Sequence, residues 1–397
     1  MIDPDTALAL VIGHTPEACI VAVPFQDALG AYLAEPVVAD RDYPPFRRAT
    51  MDGFAVKVCD AGTTLRVAGE LAAGDIWDEP LVAGTAIEIM TGAPCPEGVE
   101  AVVQKEAVTL SDGGVLIPES IRLGLNIAPI GAECERGKTV LDRGALVTPL
   151  AIANLATFGY ESVNVFARPK LTIITTGNEV ALPGEIPGPA QIRNSNGPML
   201  AAMARCLGLT EVKHMHARDT MEELEAALNA AAESDIVVLT GAVSAGKYDN
   251  VPEAIESLGA EAVFHKVAQR PGKPIFFAVR KRQLLFGLPG NPLSAHLGFH
   301  RYVAATIRKL TGAAPEPVSE IGELTDSLVV KGPRCVFQLA HVVRGPNDWL
   351  LTPLIGAGSA DMHAAASANA LIRFEPESGL HPAGMHVPFE WTPPRLR

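Results

Sequence analysis

The chain reads as a multidomain α/β protein. A mostly parallel-sheet α/β domain is joined to a β-rich inserted domain, a helical linker domain and a small C-terminal β domain. Three observations predict this. From about residue 168 to 312, apolar runs of strand length alternate with helical stretches, the texture of a parallel sheet covered on both faces. Residues 44–147 carry short alternating runs, β-branched residues and Gly turns instead, the pattern of a compact β unit. The Pro-rich segment Ala313-Ala-Pro-Glu-Pro-Val318 then sets off a last stretch of short β-like runs.

Taken in order, residues 4–34 carry helical spacing, with a Pro-Glu helix start at Pro16-Glu17. Strands follow at Phe54–Val58, Leu65–Val67, Ala86–Met90, Ala101–Val103 and Val115–Ile117. Residues 150–158 are helical again, so a β module inserted between two pieces of a helical parent is the economical account. The α/β unit opens with the strand Lys170–Ile174. Asn194-Ser-Asn-Gly-Pro198 caps a helix to Cys206, and a strand runs near Val212–Met215. Thr220 with Glu223 three residues on forms a capping box for a helix to Ala232. The strand Asp235–Leu239, a helix over Pro252–Leu258 and strands near Val263–Val267 and Ile275–Val279 come next. Leu284–Leu288 is a buried-strand run that stops at Pro289-Gly290, where Asn291-Pro292 opens a long apolar helix to about Leu310. Asn is a preferred N-cap, and Pro fits the first helical turn. The expected domains are therefore 1–45 with 148–168 (helical), 46–147 (inserted), 169–313 (α/β) and 314–397 (C-terminal β).

Bulk properties narrow the function. A chain of 397 residues is too long for one ordinary domain, and 48% hydrophobic content supports sizeable cores. A net charge of −13 argues against a general nucleic-acid or anionic-membrane binder. The first residues lack the basic-then-apolar order of a signal peptide, and no apolar run reaches the roughly 18 residues of a membrane helix. The six cysteines are scattered without zinc spacing and read as free thiols of a reducing compartment. A soluble cytoplasmic protein is expected.

Three strands of the α/β unit end in loops of special composition: Thr176-Gly-Asn-Glu179, Thr240-Gly-Ala-Val-Ser-Ala-Gly246 and Pro289-Gly-Asn-Pro-Leu-Ser294. Carboxyl ends of parallel strands lie on one edge, so these loops should converge. Gly turns and a helix start offer backbone N–H groups to phosphate oxygens. A fourth piece, His265-Lys-Val-Ala-Gln-Arg-Pro-Gly-Lys-Pro274, holds Lys266, Arg270 and Lys273 in a short segment stiffened by two prolines, a set suited to a tetrahedral oxyanion or simply a solvated basic turn. Glu179 and Asp249 sit in the same loops. Two carboxylates beside phosphate commonly hold Mg²⁺, or either caps a helix. His296 and His300 have metal-ligand spacing but lack the glutamate of HExxH, and read as packing residues.

With these residues in view the chain resembles the molybdopterin molybdenumtransferases, the bacterial MoeA family, which is also similar to the E domain of gephyrin. The markers are Ala49-Thr-Met-Asp-Gly-Phe-Ala-Val56, Ile89-Met-Thr-Gly-Ala-Pro94, Thr175-Thr-Gly-Asn-Glu-Val180, Gln191-Ile-Arg-Asn-Ser-Asn196, Val243-Ser-Ala-Gly-Lys-Tyr-Asp249, Arg270-Pro-Gly-Lys-Pro274 and Gly287-Leu-Pro-Gly-Asn-Pro292. The resemblance spans about residues 5–390. It implies a molybdopterin-binding α/β domain and an elongated homodimer of four-domain subunits. The site would lie between the α/β domain of one subunit and the inserted domain of the other. The implied substrates are adenylylated molybdopterin and molybdate, with Mg²⁺ or another divalent cation, and the implied products are the molybdenum-loaded cofactor and AMP.

On this resemblance, Asp249, Glu179, Asp52 and Thr91 are the catalytic candidates, with Asp249 and Glu179 as metal ligands. Thr176, Gly177, Ser195, Gly241, Ser244, Gly246, Pro289, Gly290, Asn291 and Pro292 would hold the adenylylated substrate. Arg270, Lys273, Ser294 and Arg334, with Ser359, would hold molybdate. The sequence departs from the family pattern at Arg270 (commonly Lys), Ala242 (commonly Gly), Lys247 (commonly acidic) and Asn178 (commonly Asp). Two further readings are an adenylyltransferase-like enzyme, from the α/β unit alone, and a non-catalytic scaffold like gephyrin. Implied protein partners are the molybdopterin adenylyltransferase and proteins that mature molybdoenzymes.

Overall fold

A computed structural model of the chain describes residues 1–111, 113–241 and 251–393. The fold divides into two compact units. One comprises Met1–Glu35, Gly144–Pro149 and Ser162–Arg397, the other Pro36–Arg143 and Leu150–Glu161.

The chain opens with helix α1 (Pro4–His14), capped by Asp3, whose carboxylate accepts the N–H groups of Asp5 and Thr6. Helical spacing to residue 34 had been expected, but the helix stops at Thr15. That residue precedes Pro16 and takes an extended conformation (ψ 121°), because the proline ring clashes with a helical predecessor. The β-branched run Ile20–Pro24 is instead strand β1, paired antiparallel with Ser162–Phe166.

In the second unit, strands β2 (Gly53–Val56), β3 (Thr64–Leu71), β4 (Thr85–Ile89), β5 (Ala101–Gln104), β6 (Thr109–Ser111) and β7 (Gly114–Leu116) form one sheet in the order β5-β2-β4-β3-β7-β6. Apolar clusters pack on it around Ala55, Ile87 and Val102 and around Phe54, Ala86 and Val103. Neighbouring residues of one strand belong to different clusters, as the two-residue period of a strand requires. Helix α2 (Pro149–Thr157) follows, and then β8 (Ser162–Phe166), the partner of β1, returns the chain to the first unit.

The α/β portion of the first unit comprises β9 (Leu171–Thr176), α3 (Asn196–Cys206), β10 (Val212–Ala217), α4 (Met221–Ala230), β11 (Ile236–Thr240), α5 (Val251–Ser257), β12 (Glu261–His265), the short β13 (Gln269–Arg270), β14 (Phe276–Arg280) and β15 (Gln283–Leu288). The sheet order is β10-β9-β11-β15-β14-β12. The first four strands are parallel, and β14 and β12 extend the sheet antiparallel. Its central strands are buried on both faces. Ile173, Val238 and Phe286 face α1, α3 and the last helix of this portion, whereas Ile174, Val237 and Leu285 face α4 and α5. Thr220 accepts from the Glu223 N–H, as a capping box does. The last helix, α6, runs from Pro292 to Leu310 with a π-helical turn at Phe299–Val303.

The C-terminal strands β16 (Ser319–Leu324), β17 (Cys335–Arg344), β18 (Trp349–Pro353), β19 (Ala370–Phe374) and β20 (His386–Trp391) pair in the cyclic order β17-β18-β16-β20-β19, and β19 pairs back to β17. The sheet is thus closed on itself around Leu324, Val342, Leu351, Ile372 and Phe389. Strand β13, in the basic segment 265–274, pairs parallel to the start of β17. That segment therefore belongs to both halves of the unit. All six cysteines are free thiols, and among the described residues no helix is long and apolar enough to cross a membrane.

Candidate functional site

Register places the carboxyl ends of three parallel strands side by side, with Thr175 opposite Thr240 and Thr240 opposite Leu288. The loops that begin at Thr176, Gly241 and Pro289 consequently leave the sheet together. They touch. The Gly241 N–H donates to Leu288 O at 3.1 Å, and the Thr240 hydroxyl donates to Pro289 O at 3.1 Å. Gly241 has φ +108°, and a Cβ there would lie 2.4 Å from Thr176 Oγ1, so only glycine lets the first two loops approach this closely.

Two asparagines at the start of α3 tie the edge together. Asn196 Nδ2 donates to Thr240 Oγ1 (2.8 Å) and to Gly290 O (2.8 Å), joining the second loop to the third. Asn194 Nδ2 donates to Thr175 Oγ1 (2.8 Å), while its Oδ1 accepts the Gly197 N–H (3.0 Å). The cap of α3 is therefore Asn194, and Ser195 makes no side-chain cap. Among the described residues, Thr176 Oγ1 and Asn196 Oδ1 are buried and have no hydrogen-bond partner. Both residues line the adjoining cavity.

That cavity has a volume of about 1380 Å³. Thr176, Gly177, Glu179, Ser195, Gly241, Pro289, Gly290, Asn291, Pro292 and Ser294 line it from the sheet edge. Arg270 and Lys273 line it from the basic turn, and Arg334 and Ser359 from the C-terminal barrel. The basic turn is closed at its base by Lys273 O, which accepts the N–H groups of Val267 and Ile275. Gly272 has φ +80°, and a Cβ there would meet Gln269 Nε2 at 3.2 Å and Ser294 O at 3.3 Å. The turn is therefore seated directly on the start of α6.

At that helix start the side chain of Asn291 does not cap α6, contrary to the expectation from sequence. Its amide donates to Ser359 Oγ at 2.9 Å, and the Leu293 N–H donates to Ser359 O at 3.0 Å. The physical reason is competition: a hydroxyl and a carbonyl from the barrel reach the helix end and satisfy groups that a cap would otherwise satisfy. The Ser294 N–H donates to Asn291 O (3.0 Å). The helix start is thus largely satisfied by protein, and positive charge for an anion comes chiefly from Arg270, Lys273 and Arg334.

Ser244, Gly246 and Asp249, with Ala242 and Lys247, lie outside the described residues. Glu179 is exposed at the cavity, where Asp219 and Asp361 are further acidic lining residues that sequence reading missed. Among the described residues no group of three His, Cys, Asp or Glu side chains forms a metal cage. Mg²⁺ is commonly bound by one or two carboxylates together with substrate phosphates and water rather than by an all-protein cage, and the exposed Glu179 carboxylate at the cavity is a ligand of that type.

Asp52 and Thr91 belong to the other unit and lie together there. Asp52 Oδ1 accepts both the N–H and the hydroxyl of Thr91, each at 2.7 Å. The backbone bond first, then the hydroxyl, holds the Asp52 carboxyl below its ordinary range. His296 and His300 stack at 6.2 Å and bond to Thr392 and Glu390, so their spacing serves packing. Asn196 was missed as a site residue, although Asn194-Ser-Asn-Gly197 directly before a helix after a Gly loop was the available signal.

Known proteins agree with this arrangement. Residues 2–159 match the MoeA N-terminal region (domain I and II), and residues 172–309 match the probable molybdopterin binding domain. The chain is 35% identical over 363 residues to the molybdopterin molybdenumtransferase of Bacillus subtilis, covering 88% of this chain and 84% of that one. It is 36% identical over 301 residues to the protein of the same name from Staphylococcus epidermidis, covering 74% and 72%. Among solved structures, a molybdopterin biosynthesis MoeA protein from Pyrococcus horikosii superposes with a TM-score of 0.84 at 30% identity, over 98% of this chain and 99% of that one. A molybdenum cofactor biosynthesis protein from Pyrococcus furiosus shares the fold at a TM-score of 0.59 and 18% identity, over 98% and 99% of the two chains. Continuous likeness in sequence and in structure converges on one assignment: the chain belongs to the MoeA family of molybdopterin molybdenumtransferases.

Proposed function

We propose that the chain acts in molybdenum cofactor biosynthesis by inserting molybdenum from molybdate into adenylylated molybdopterin with release of AMP. The observation that carries this reading is one cavity lined on one side by phosphate-type loops and on the other by Arg270, Lys273 and Arg334. Its volume exceeds the roughly 300–1,000 Å³ of an ordinary small-molecule pocket, which suits a nucleotide-sized substrate and a separate oxyanion together.

In this reading Thr176, Gly177, Ser195, Gly241, Ser244, Gly246, Pro289, Gly290, Asn291 and Pro292 hold the adenylylated substrate. Ser294 and Ser359 join the three cations around molybdate. Glu179 and Asp249 would hold Mg²⁺, which supplies charge neutralisation at the phosphates. The protein groups hold phosphate and oxyanion at fixed positions, and this positioning is the main help a protein gives to phosphoryl chemistry. Asp52 is kept ionised by Thr91 and serves as an acceptor for a proton or a polar group of the substrate. As the family resemblance implies, the inserted domain of a second copy would supply it, and the proposed working form is a cytoplasmic homodimer of four-domain subunits. The molybdopterin adenylyltransferase and maturation proteins of molybdoenzymes are its expected partners. Arg334 and Ser359 come from the barrel, which an adenylyltransferase built of the α/β domain alone would lack.

The test is AMP formation by purified protein given adenylylated molybdopterin, molybdate and Mg²⁺, with cofactor product measured by reconstitution of a molybdoenzyme. AMP appearing with active cofactor is the expected result. No AMP under any combination of molybdate and divalent metal refutes the reading.

A further inference from the structure

The basic turn is held from inside by a pair of buried polar side chains to which the chemistry described so far gives no role. Gln269 and Tyr302 are each 0% exposed. The Tyr302 hydroxyl donates to Gln269 Oε1 at 2.6 Å, and Gln269 Nε2 donates to Pro271 O at 3.3 Å. The orientation of the Gln269 amide follows from chemistry. Pro271 O can only accept, so nitrogen must face it and oxygen must face the tyrosine. The main-chain carbonyl of Gln269 also accepts from Arg334 Nη1 at 3.4 Å. One residue therefore touches both the turn carrying Arg270 and Lys273 and the guanidinium that faces it from the barrel.

We propose that Tyr302 and Gln269 are positioning residues for the oxyanion pocket: the buried pair fixes the turn and thereby the spacing of Arg270 and Lys273 to Arg334. The inference rests on reading the cavity as an oxyanion site. Stability alone does not call for the pair, because an apolar pair of the same shape at such a buried place is nearly neutral or stabilising. The hydrogen bonds instead provide direction. Tyr302 packs edge-on to Phe264 with ring centroids 6.3 Å apart, so its hydroxyl is aimed from a rigid ring. It also lies within the π turn Phe299–Val303 of α6. An inserted residue shifts the phase of a helix by about 100°, so α6 can seat Ser294 at the cavity while aiming Tyr302 at Gln269. Gly272 completes the seat, since a Cβ there would press on Gln269 Nε2 and Ser294 O.

The experiment is equilibrium dialysis of molybdate against the full-length protein, with AMP affinity and thermal midpoint measured alongside. Tyr302→Phe should weaken molybdate binding roughly tenfold, equivalent to about 1.4 kcal/mol. AMP affinity should stay within about twofold, and turnover at saturating molybdate should be little changed, which places the loss in KM. The double variant Gln269→Leu with Tyr302→Phe leaves no unpaired polar group on either side chain and frees only the carbonyl of the half-buried Pro271. It should regain the thermal midpoint of the unaltered chain but not its molybdate affinity, which separates positioning from folding. If the unaltered chain binds molybdate saturably and Tyr302→Phe or the double variant binds it equally well, the inference is overturned while the functional reading stands. Absence of saturable molybdate binding by the unaltered chain overturns both.

Discussion

Glu390→Gln is the substitution whose cost the structure specifies best. Glu390 on β20 is 8% exposed; its Oε1 accepts from Arg301 Nη1 at 2.6 Å and its Oε2 from His300 Nε2 at 2.9 Å. Arg301 is 3% exposed, and its other carboxylate is Asp5 at 3.6 Å. Glutamine keeps the volume but removes the charge, and its amide nitrogen must face one of two donors. Breaking a buried pair from one side costs roughly 3–5 kcal/mol. Asp5 retains part of the compensation, so about 3 kcal/mol is expected. With a urea slope of about 2 kcal/mol/M, the midpoint should fall by about 1.5 M. The reporter is tryptophan fluorescence, because Trp349 and Trp391 pack edge-on in the barrel at 5.1 Å. Burial pushes the Glu390 carboxyl up, but the His300 bond and the Arg301 charge outweigh it and hold the group below its ordinary 4.5. A depressed carboxyl stabilises the fold above the unfolded value and loses that contribution as pH falls through the folded one. The difference between the unaltered chain and the variant should therefore be full at pH 7 and shrink below about pH 4.5. A midpoint that moves by less than about 0.3 M at pH 7 would refute the account. The double change Arg301→Met with Glu390→Leu should recover only part of the loss, because it removes the unpaired charge but leaves buried His300 without its acceptor.

Three shorter expectations follow from other parts of the molecule. Asp52→Asn keeps an acceptor for Thr91, so the thermal midpoint should hold within about 2 °C while AMP formation falls at least tenfold, roughly; unchanged turnover would remove Asp52 from the site. His296 is pushed down to about 3 by burial and then by its neighbour His300. A depressed histidine costs stability as pH falls below the unfolded value near 6.5, about 1.4 kcal/mol per pH unit, and His296→Gln should flatten that slope between pH 6.5 and 4.5. Burial pushes the Cys95 thiol up to about 11, whereas Cys19, Cys59 and Cys206 are exposed. Mass mapping after brief alkylation at pH 8 should find the exposed three labelled first, and Cys95 labelled as fast as Cys59 would contradict the burial.

What sequence could show was set by the range of the interaction. The runs Leu171–Thr176, Ile236–Thr240 and Gln283–Leu288 are buried along their length because both faces are covered, and their apolar stretches are plain in the sequence. The direction of Phe276–Arg280 is not, since an apolar run looks the same in either sense. Ile20–Pro24 was mistaken for helix because the strand that holds it, Ser162–Phe166, lies far along the chain. Asn291 reads as a cap by every local rule, and only the arrival of Ser359 redirects its amide. The bond between Asp52 and Thr91 follows from family likeness and from no period or charge pattern. Asn196 was within reach, for an amide between two Gly loops can serve both.

The order in which the chain is made bears on how it must fold. Asp5 of α1 pairs with Arg373 at 2.6 and 2.8 Å across 368 residues, and β20 completes the barrel by pairing with both β16 and β19. At about 5–20 residues per second of synthesis, Asp5 waits roughly 20–70 s for its partner. The unit Pro36–Arg143 with Leu150–Glu161 is complete long before that. An emerging chain would therefore carry a finished inserted unit and an α/β sheet already made by Leu288, while its first helix still lacked Arg373, the nearer of the two guanidinium partners of Asp5. Ribosome-bound chains stopped shortly after residue 313 should protect the inserted unit from protease and leave α1 the more readily cut.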